Sequence, residues 1–239
     1  MQAIKIEGLT KRYGRIVAVD GLSLCVEEGE LLSLLGVNGA GKTTTLKACI
    51  GILGFEEGEI LINGISVKDD PMAAKRICAY IPDDPALYGY LTGIKYLNFV
   101  ADVFGVGADE RDVKIHALAD KFSITANLGE KIGAYSHGMK QKLAIIAAWL
   151  HSPKLIIMDE PFVGLDPVAS HTLKEMMREH CDSGGSIFFS THVLDVAEKI
   201  CDKVAIIKEG RLVVMGNMKE VRGDASLESV FLELSEEDK

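Results

Sequence analysis

The residues best suited to chemistry lie in one short stretch, Gly36–Thr44, which reads GVNGAGKTT. The stretch follows the apolar run Leu31–Leu35 and precedes residues typical of a helix. Glycines reach backbone angles that other residues avoid, so successive N–H groups can converge on an anion. The positive end of the following helix adds to that attraction. The stretch therefore predicts a phosphate-binding loop between a strand and a helix.

Two side chains of this stretch can act on a nucleotide. Lys42 can reach the β- and γ-phosphates as a point charge, and the Thr43 hydroxyl can ligate the Mg²⁺ ion that bridges them. The other expected phosphate contacts are Gly36, Asn38, Gly39, Ala40, Gly41 and Thr44. The alternative is a glycine-rich turn without a ligand, which the flanking strand and helix disfavour.

A second group of candidate residues follows another apolar run, Leu155–Met158, which leads into Asp159 and Glu160. Such a strand is covered on both faces, and its carboxyl edge is where open α/β sheets hold ligands. Asp159 can bind Mg²⁺ through water opposite Thr43, while Glu160 can accept a proton from, or orient, the water that attacks the γ-phosphate. The alternative, a solvated acidic turn, is less favoured beside a phosphate loop.

His192 and Tyr13 carry weaker signals. His192 follows the buried run Ser186–Ser190, so contact with a γ-phosphate is feasible, although a histidine at a strand edge is more often structural. Tyr13 lies ahead of the phosphate loop and offers an aromatic face on which a purine can stack, but exposed loop tyrosines are common.

Composition restricts the class of protein. The 239 residues are 48% hydrophobic and 26% charged, as in ordinary globular proteins. A net charge of −9 argues against nucleic-acid binding through bulk positive charge. The five cysteines are far apart without a Cys-x-x-Cys pair, so we expect neither disulfides nor zinc, but a reduced compartment. No leader pattern or membrane-length apolar run is visible, so any membrane role is expected to come through a partner.

Hydrophobic patterning predicts the elements that position these residues. Alternating apolar positions predict half-buried strands at Ile4–Ile6 and Leu22–Val26, and Asn63-Gly64 after Glu59–Ile62 predicts a hairpin. A second hairpin is predicted at Lys203–Met215. The three buried runs described above predict strands covered on both faces. This combination indicates the α/β class.

From Asp83 to Ser152 the apolar period becomes helical, which predicts an inserted helical subdomain. The residues that share predicted helical faces are Leu97, Val100, Ala101 and Phe104 in one helix and Leu118 and Phe122 in the next. Another helix is predicted near Val168–His180. We expect one domain, 1–239, with a core and β subdomain at 1–82 and 153–222, the helical subdomain at 83–152, and a C-terminal helix and acidic tail at 223–239.

Taken in order, the motifs resemble those of ABC ATPases. They are Tyr13, the phosphate loop, Tyr135–Met139 before a helix, Leu155–Glu160, Gly164–Asp166 and Ser190–His192. Over nearly its full length the chain resembles the nucleotide-binding subunit of a bacterial ABC transporter, often an exporter, whose membrane domain is a separate polypeptide. The resemblance implies a P-loop NTPase fold with a three-layer core, an antiparallel β subdomain and an inserted α-helical subdomain.

The resemblance also implies a dimer. In the family, two domains face head to tail, and each ATP lies between the phosphate loop of one and the signature stretch of the other. The signature stretch here is Ser136, His137, Gly138 and Met139. Ser136 and Gly138 would contact the γ-phosphate from a helix N-terminus. The other implied roles are catalytic base for Glu160, contact with the γ-phosphate and water for His192, adenine stacking for Tyr13, and signalling between sites for Asp166.

Three residues depart from the family pattern. His137 and Met139 replace a glycine and a glutamine of the signature, although the serine and second glycine that touch phosphate remain. Asp83 stands where the family commonly has a glutamine that contacts Mg²⁺ and water. A carboxylate there can ligate Mg²⁺ more strongly, but it adds negative charge beside a polyphosphate. Three outcomes stay open. Hydrolysis is slower, hydrolysis depends more strongly on the metal, or the Asp83 side chain points away from the site.

The expected function is binding and hydrolysis of Mg-ATP in a homodimer, or in a dimer with a similar subunit, that powers a separate transmembrane permease. The chain would be cytoplasmic and peripheral on the inner face of the membrane, without a nucleic-acid partner. The alternatives are a soluble ABC ATPase acting on ribosomes or nucleic acid and an ATP-sensing subunit with little turnover. The sequence identifies neither the transported compound nor the direction; we expect the permease to dock near Asp83–Leu91.

Overall fold

A computed structural model describes residues 1–223 and 225–236, and in that part of the chain ten strands form two sheets. The end of the acidic tail, 237–239, lies outside the described residues. The strands are β1 (Gln2–Tyr13), β2 (Ile16–Glu27), β3 (Leu31–Leu35), β4 (Glu57–Ile62), β5 (Ile65–Ser66), β6 (Cys78–Ile81), β7 (Leu155–Asp159), β8 (Ser186–Thr191), β9 (Lys203–Lys208) and β10 (Arg211–Asn217). The helices are α1 (Lys42–Cys49), α2 (Pro71–Arg76), α3 (Gly93–Phe104), α4 (Ala108–Lys121), α5 (His137–Trp149), α6 (Pro167–Asp182), α7 (Leu194–Ile200), α8 (Met218–Arg222) and α9 (Leu227–Glu236).

The larger sheet carries the strands that precede the candidate site residues. Its order is β10-β9-β3-β8-β7-β6, parallel from β9 to β6, with β10 antiparallel at one edge. Every residue of β3, β7 and β8 is buried. Leu31 and Leu35 belong to one apolar cluster, and Leu32 and Leu34 belong to the other. The uninterrupted apolar runs therefore reflect burial on both faces of the sheet, as predicted.

The smaller sheet is antiparallel, with strand order β2-β1-β4-β5. Asn63 and Gly64 connect β4 to β5, and their φ angles are 47° and 78°. A tight two-residue hairpin requires positive φ at both positions, which asparagine and glycine adopt at the lowest cost. The predicted hairpin, the antiparallel sheet and the α/β class are confirmed.

Helices α3, α4 and α5 pack against one another between residues 93 and 149, and α5 also contacts β6. Leu97 and Ala101 are buried, whereas Phe104, at the end of the same predicted face, is 36% exposed and stacks on the ring of His151. The patterning did not predict α2, α7 and α8, because helices of five to seven residues complete at most two turns. None of the described helices is long and apolar enough to cross a membrane.

His180, in the last turn of α6, makes stability depend on pH. Its ring packs edge-on against Trp149, with centroids 6.1 Å apart, and its Nε2 atom has no hydrogen-bond partner among the described residues. Burial lowers the pKa of His180 below its ordinary value of 6.5, because the charged ring would lose hydration. The unfolded chain therefore binds the proton at higher pH than the folded chain, and the folded state loses stability as pH falls below 6.5 toward the lowered pKa.

We expect His180→Phe to weaken this pH dependence, because phenylalanine keeps the ring packing and binds no proton. Urea unfolding at about pH 8 and about pH 5.5 tests this: the free energy of unfolding should fall less on acidification in the variant. His171→Phe, on the exposed side of the same helix, is the matched control and should respond to pH as the wild type does. An equal fall in the His180→Phe and wild-type proteins would contradict the assignment.

Candidate functional site

The loop between β3 and α1 is shaped by its glycines. Gly39 and Gly41 have φ angles of 86° and 105°, in the region that favours glycine. A Cβ atom at Gly36 would lie 2.6 Å from the carbonyl oxygen of Ile207, and one at Gly41 would lie 2.5 Å from that of Ala18. Both distances are too short for a side chain, so the neighbouring strands require glycine at these positions.

The loop presents its backbone and the first turn of α1 to solvent. Asn38, Gly39 and Thr43 are exposed, Thr44 is half-buried, and Ala40 is buried against the core. No side chain caps the N-terminus of α1 in the described structure. Free N–H groups at a helix N-terminus, together with the positive end of its dipole, bind anions. The arrangement fits a phosphate.

Lys42 folds back onto this loop. Its Nζ donates hydrogen bonds to the carbonyl oxygens of Gly36 and Val37, at 2.7 and 3.3 Å, and lies 3.7 Å from Oε1 of Glu160. Its side chain is only 6% exposed. The ammonium group is therefore held between the phosphate loop and a carboxylate, within reach of both.

Asp159 and Glu160, at the end of β7, are oriented by Ser190 on the adjacent strand β8. The Ser190 hydroxyl donates to Oδ1 of Asp159 at 2.5 Å and accepts the backbone N–H of Glu160 at 3.1 Å. Parallel pairing sets Asp159 opposite Ser190. Glu160 has a φ of 46°, which costs a residue other than glycine roughly 1–2 kcal/mol. The contacts with neighbouring residues therefore hold this backbone conformation, which glutamate does not favour by itself.

His192 pairs with the same glutamate. Its Nδ1 lies 2.9 Å from Oε2 of Glu160, and its backbone N–H donates to that oxygen at 3.2 Å. The side chain of His192 is 56% exposed, whereas that of Glu160 is 12% exposed. Lys42 and His192 thus approach different oxygens of one carboxylate, so three residues from separate segments meet.

Asp83 follows β6, the neighbour of β7 in the larger sheet. Burial, and then the charges of Asp159 and Glu160, raise the pKa of Asp83 above its ordinary value, while His137 acts in the opposite direction. Asp83 therefore lies within electrostatic range of both carboxylates. Among the described residues, no three acidic, histidine or cysteine side chains are placed to hold a metal ion by themselves.

The signature residues stand at the N-terminus of α5, and they are Ser136, His137, Gly138 and Met139. The Ser136 hydroxyl caps the helix by accepting the N–H of Met139 at 3.2 Å. The His137 ring packs on Gly164, where a Cβ atom would overlap it, and its Nδ1 lies 3.8 Å from Asp84. None of the hydrogen bonds described for these residues reaches the phosphate loop of the same chain.

Asp166 and Tyr13 are the remaining candidate residues. Asp166 caps α6 by accepting the N–H of Ala169 at 2.8 Å, and its other oxygen accepts a 2.7 Å hydrogen bond from Lys142. The hydrogen bond from Lys142 lowers the pKa of Asp166. Tyr13 ends β1 and is 50% exposed, with the Nζ atom of Lys11 lying 5.5 Å from its ring. Adenine stacking on Tyr13 stays a prediction.

Sequence reasoning missed three residues that orient the site: Ser190, Gln141 and Lys142. The role of Ser190 depends on the pairing of β7 with β8, which a single sequence does not reveal. Gln141 is fully buried, and its Nε2 donates to the Pro161 carbonyl oxygen at 3.3 Å. The available signal was spacing, since Gln141 and Lys142 each stand four residues after a signature residue, His137 and Gly138, on one helix.

Comparisons with known proteins give matches over most of the chain. The family model described as ABC transporter matches residues 19–163. The ABC-type transporter ATP-binding protein EcsA of Bacillus subtilis (strain 168) is 35% identical over 243 residues, covering 100% of this chain and 98% of EcsA. A solved ATP-binding subunit of an ABC transporter has a TM-score of 0.94 at 36% identity, covering 98% of this chain and 100% of the other. The ATP-binding cassette MJ0796, solved as a dimer with ADP and Pi after hydrolysis, shares the fold. Its TM-score is 0.83 at 22% identity, covering 90% of this chain and 98% of the MJ0796 chain.

We expect Lys42→Ala to weaken ATP binding at least about tenfold, because each lost charge-assisted hydrogen bond contributes about 1.5–3 kcal/mol. Isothermal titration of the purified chain with ATP and Mg²⁺ measures the affinity. Lys131→Ala removes an exposed lysine outside the site and should bind as the wild type does. Undiminished affinity in Lys42→Ala would contradict the assignment of the phosphate loop.

Proposed function

The chain belongs to the ABC transporter family, as one of its ATP-binding ATPase subunits, and we propose that it works as a head-to-tail dimer that powers a separate transmembrane permease. In this proposal, Mg-ATP is held between the phosphate loop of one copy and the signature stretch of the other. The chain would then be cytoplasmic and peripheral on the inner face of the membrane. Its dimer partner would be a second copy or a similar subunit.

The observation that carries the catalytic part of the proposal is the position of Glu160 between Lys42 and His192. Lys42 places one end of the carboxylate beside the loop that would hold the phosphates. His192 contacts the other carboxylate oxygen, and Ser190 holds the backbone of Glu160 by accepting its N–H. A carboxylate held in this way can accept a proton from, or orient, a water molecule at the γ-phosphate. His192 is exposed enough to contact the same phosphate.

The residues present fit a magnesium ion. Thr43 and Asp159 offer oxygen atoms, and Mg²⁺ is usually held by one or two protein oxygens together with phosphate oxygens and waters. Bound Mg²⁺ supplies positive charge that stabilises the negative charge on the phosphates. Ser190 holds Asp159 for this task through the 2.5 Å hydrogen bond. Asp83 is proposed as a further oxygen donor, because a cation there would relieve its repulsion from the other carboxylates.

The dimer would complete a site that one chain leaves incomplete. Ser136 and the N-terminus of α5 make no described hydrogen bond to the phosphate loop of their own chain, and in a head-to-tail pair they would reach the nucleotide of the other copy. Several apolar side chains next to site residues are 38–73% exposed: Val37, Val163, Val168 and Val193. A second copy would cover them. MJ0796, which shares the fold, was solved as a dimer.

The permease is proposed to dock in a groove of 680 Å³ that is lined in part by residues of α3 and α5. The α3 residues that line the groove form one apolar row: Tyr96, Val100 and Phe104. Residues 84–87, within the segment where docking was expected, also line the groove. Tyr80 and His151 also line the groove. An amphipathic segment of the permease would cover the apolar row.

We expect Glu160→Gln to trap an ATP-bound dimer, because the site keeps its nucleotide contacts but loses the proton acceptor that allows hydrolysis. Light scattering with ATP and Mg²⁺ should show about twice the 25.9 kDa mass of one chain. The double variant Lys42→Ala/Glu160→Gln is the control and should stay monomeric at an ATP concentration too low to saturate it, since its nucleotide binding is weakened. A Glu160→Gln protein that binds ATP yet stays monomeric would count against the dimer.

Asp83→Gln tests the proposed metal-assisting role of Asp83. Because the carboxylate repels a polyphosphate unless a cation lies between them, the variant should bind metal-free ATP more tightly, by about threefold or more. Affinity for Mg-ATP should change much less. Asp84→Asn, whose side chain is 87% exposed, is the matched control with no effect on either affinity. Equal changes with and without Mg²⁺ would place Asp83 away from the metal.

A further inference from the structure

Helix α5 touches the loop between β7 and α6 at three places. The His137 ring packs on Gly164. One turn later, Gln141 Nε2 donates to the carbonyl oxygen of Pro161, and Lys142 Nζ donates to Oδ2 of Asp166 at 2.7 Å. The loop from Glu160 to Asp166, which we call the carboxylate loop, is thus contacted near both ends and in its middle by one helix.

The contact made by Gln141 is unusual for a buried polar side chain. Gln141 is fully buried, yet only its Nε2 is used, while its Oε1 has no hydrogen-bond partner among the described residues. A buried, unpaired acceptor opposes folding, so stability alone does not favour glutamine at this position. The side chain instead fixes the carbonyl oxygen of Pro161, the residue directly after Glu160.

The backbone of Glu160 depends on such contacts. Its φ of 46° is unfavourable for glutamate, and such a conformation persists only where the surroundings determine it. On one side, Ser190 accepts the Glu160 N–H. On the other side, the Pro161 carbonyl oxygen is held by Gln141. Removing the second contact frees one end of the strained segment.

The far end of the carboxylate loop is held by charge. Lys142 is 15% exposed and its Nζ contacts Asp166, the residue that caps α6. Lys142 thus joins α5 to the start of α6, while Gln141 joins α5 to the end of β7. Two neighbouring residues on one helix therefore fix both ends of the loop that begins with the proposed catalytic base.

We propose that Gln141 and Lys142 are positioning residues for hydrolysis, which hold the carboxylate loop so that Glu160 keeps its orientation toward the γ-phosphate. The proposal rests on the function proposed above. Because α5 begins at the signature stretch, the same contacts pass a displacement of its N-terminus to Glu160 of the same chain. Engagement of Ser136 by the nucleotide of one site would therefore adjust the base of the other site in the dimer.

Gln141→Met tests the first contact, because methionine has a similar shape, cannot donate a hydrogen bond, and removes the unpaired acceptor without opening a cavity. We expect kcat for ATP to fall about tenfold, with KM changed by less than about twofold. Hydrogen exchange of the amides in residues 160–166 should become faster in the variant. A melting temperature close to that of the wild type would show that the variant retains the fold.

Lys142→Met tests the second contact, and Lys142→Arg should restore kcat because arginine keeps the charge and the donors. Lys121→Met is the matched control. Lys121, the last residue of α4, also contacts α6, where its Nζ lies 3.3 Å from Glu179, away from the carboxylate loop. It should leave kcat and the exchange of 160–166 unchanged.

Unchanged kcat in Gln141→Met, or unchanged exchange of residues 160–166, would overturn the proposal. So would equal loss of kcat in Lys142→Met and Lys142→Arg. If the wild-type chain shows no Mg-dependent turnover, the proposed function itself fails, and hydrogen exchange alone then decides whether Gln141 holds the loop.

Discussion

The site depends on the register of three buried parallel strands. Strand β8 lies between β3 and β7, with Thr191 paired to Leu35 and Ser190 paired to Asp159. The phosphate loop, the carboxylates and His192 therefore leave the sheet at one edge. Because side chains alternate along a strand, a shift of one residue would send Asp159 to the opposite face. The hydrogen-bonded pairing of β3, β8 and β7 fixes this register, so the sheet decides where the chemistry takes place.

Charge is the second constraint. Asp83, Asp159 and Glu160 lie within electrostatic range of one another, and the raised pKa of Asp83 reflects burial together with the charges of the other two. A nucleotide brings further negative charge to this place. The positive end of α1 and Lys42 offset part of that charge, and a divalent cation would offset the rest. The same crowding explains why strand pairing and the hydrogen bond from the Ser190 hydroxyl are needed to fix the carboxylate of Asp159.

Much of this arrangement could be predicted from sequence because its signals are local. The glycine spacing of the phosphate loop, the apolar runs before it and before Asp159, and the Asn63-Gly64 turn each follow from residues close together in the chain. The contacts of Ser190, Gln141 and Lys142 could not be predicted, because they depend on which strands pair and which side of α5 meets the core. The exposed position of Phe104 likewise reflects the end of α3 and its contact with His151, which periodicity alone does not reveal.

The most direct test of the central claim is ATP turnover by the purified wild-type chain, measured with Mg²⁺ over a range of protein concentrations. The account predicts that turnover per chain rises with concentration and then levels off, because each active site requires the signature stretch of a second copy. Turnover per chain that is independent of concentration, in a protein shown to be monomeric throughout that range, would contradict it.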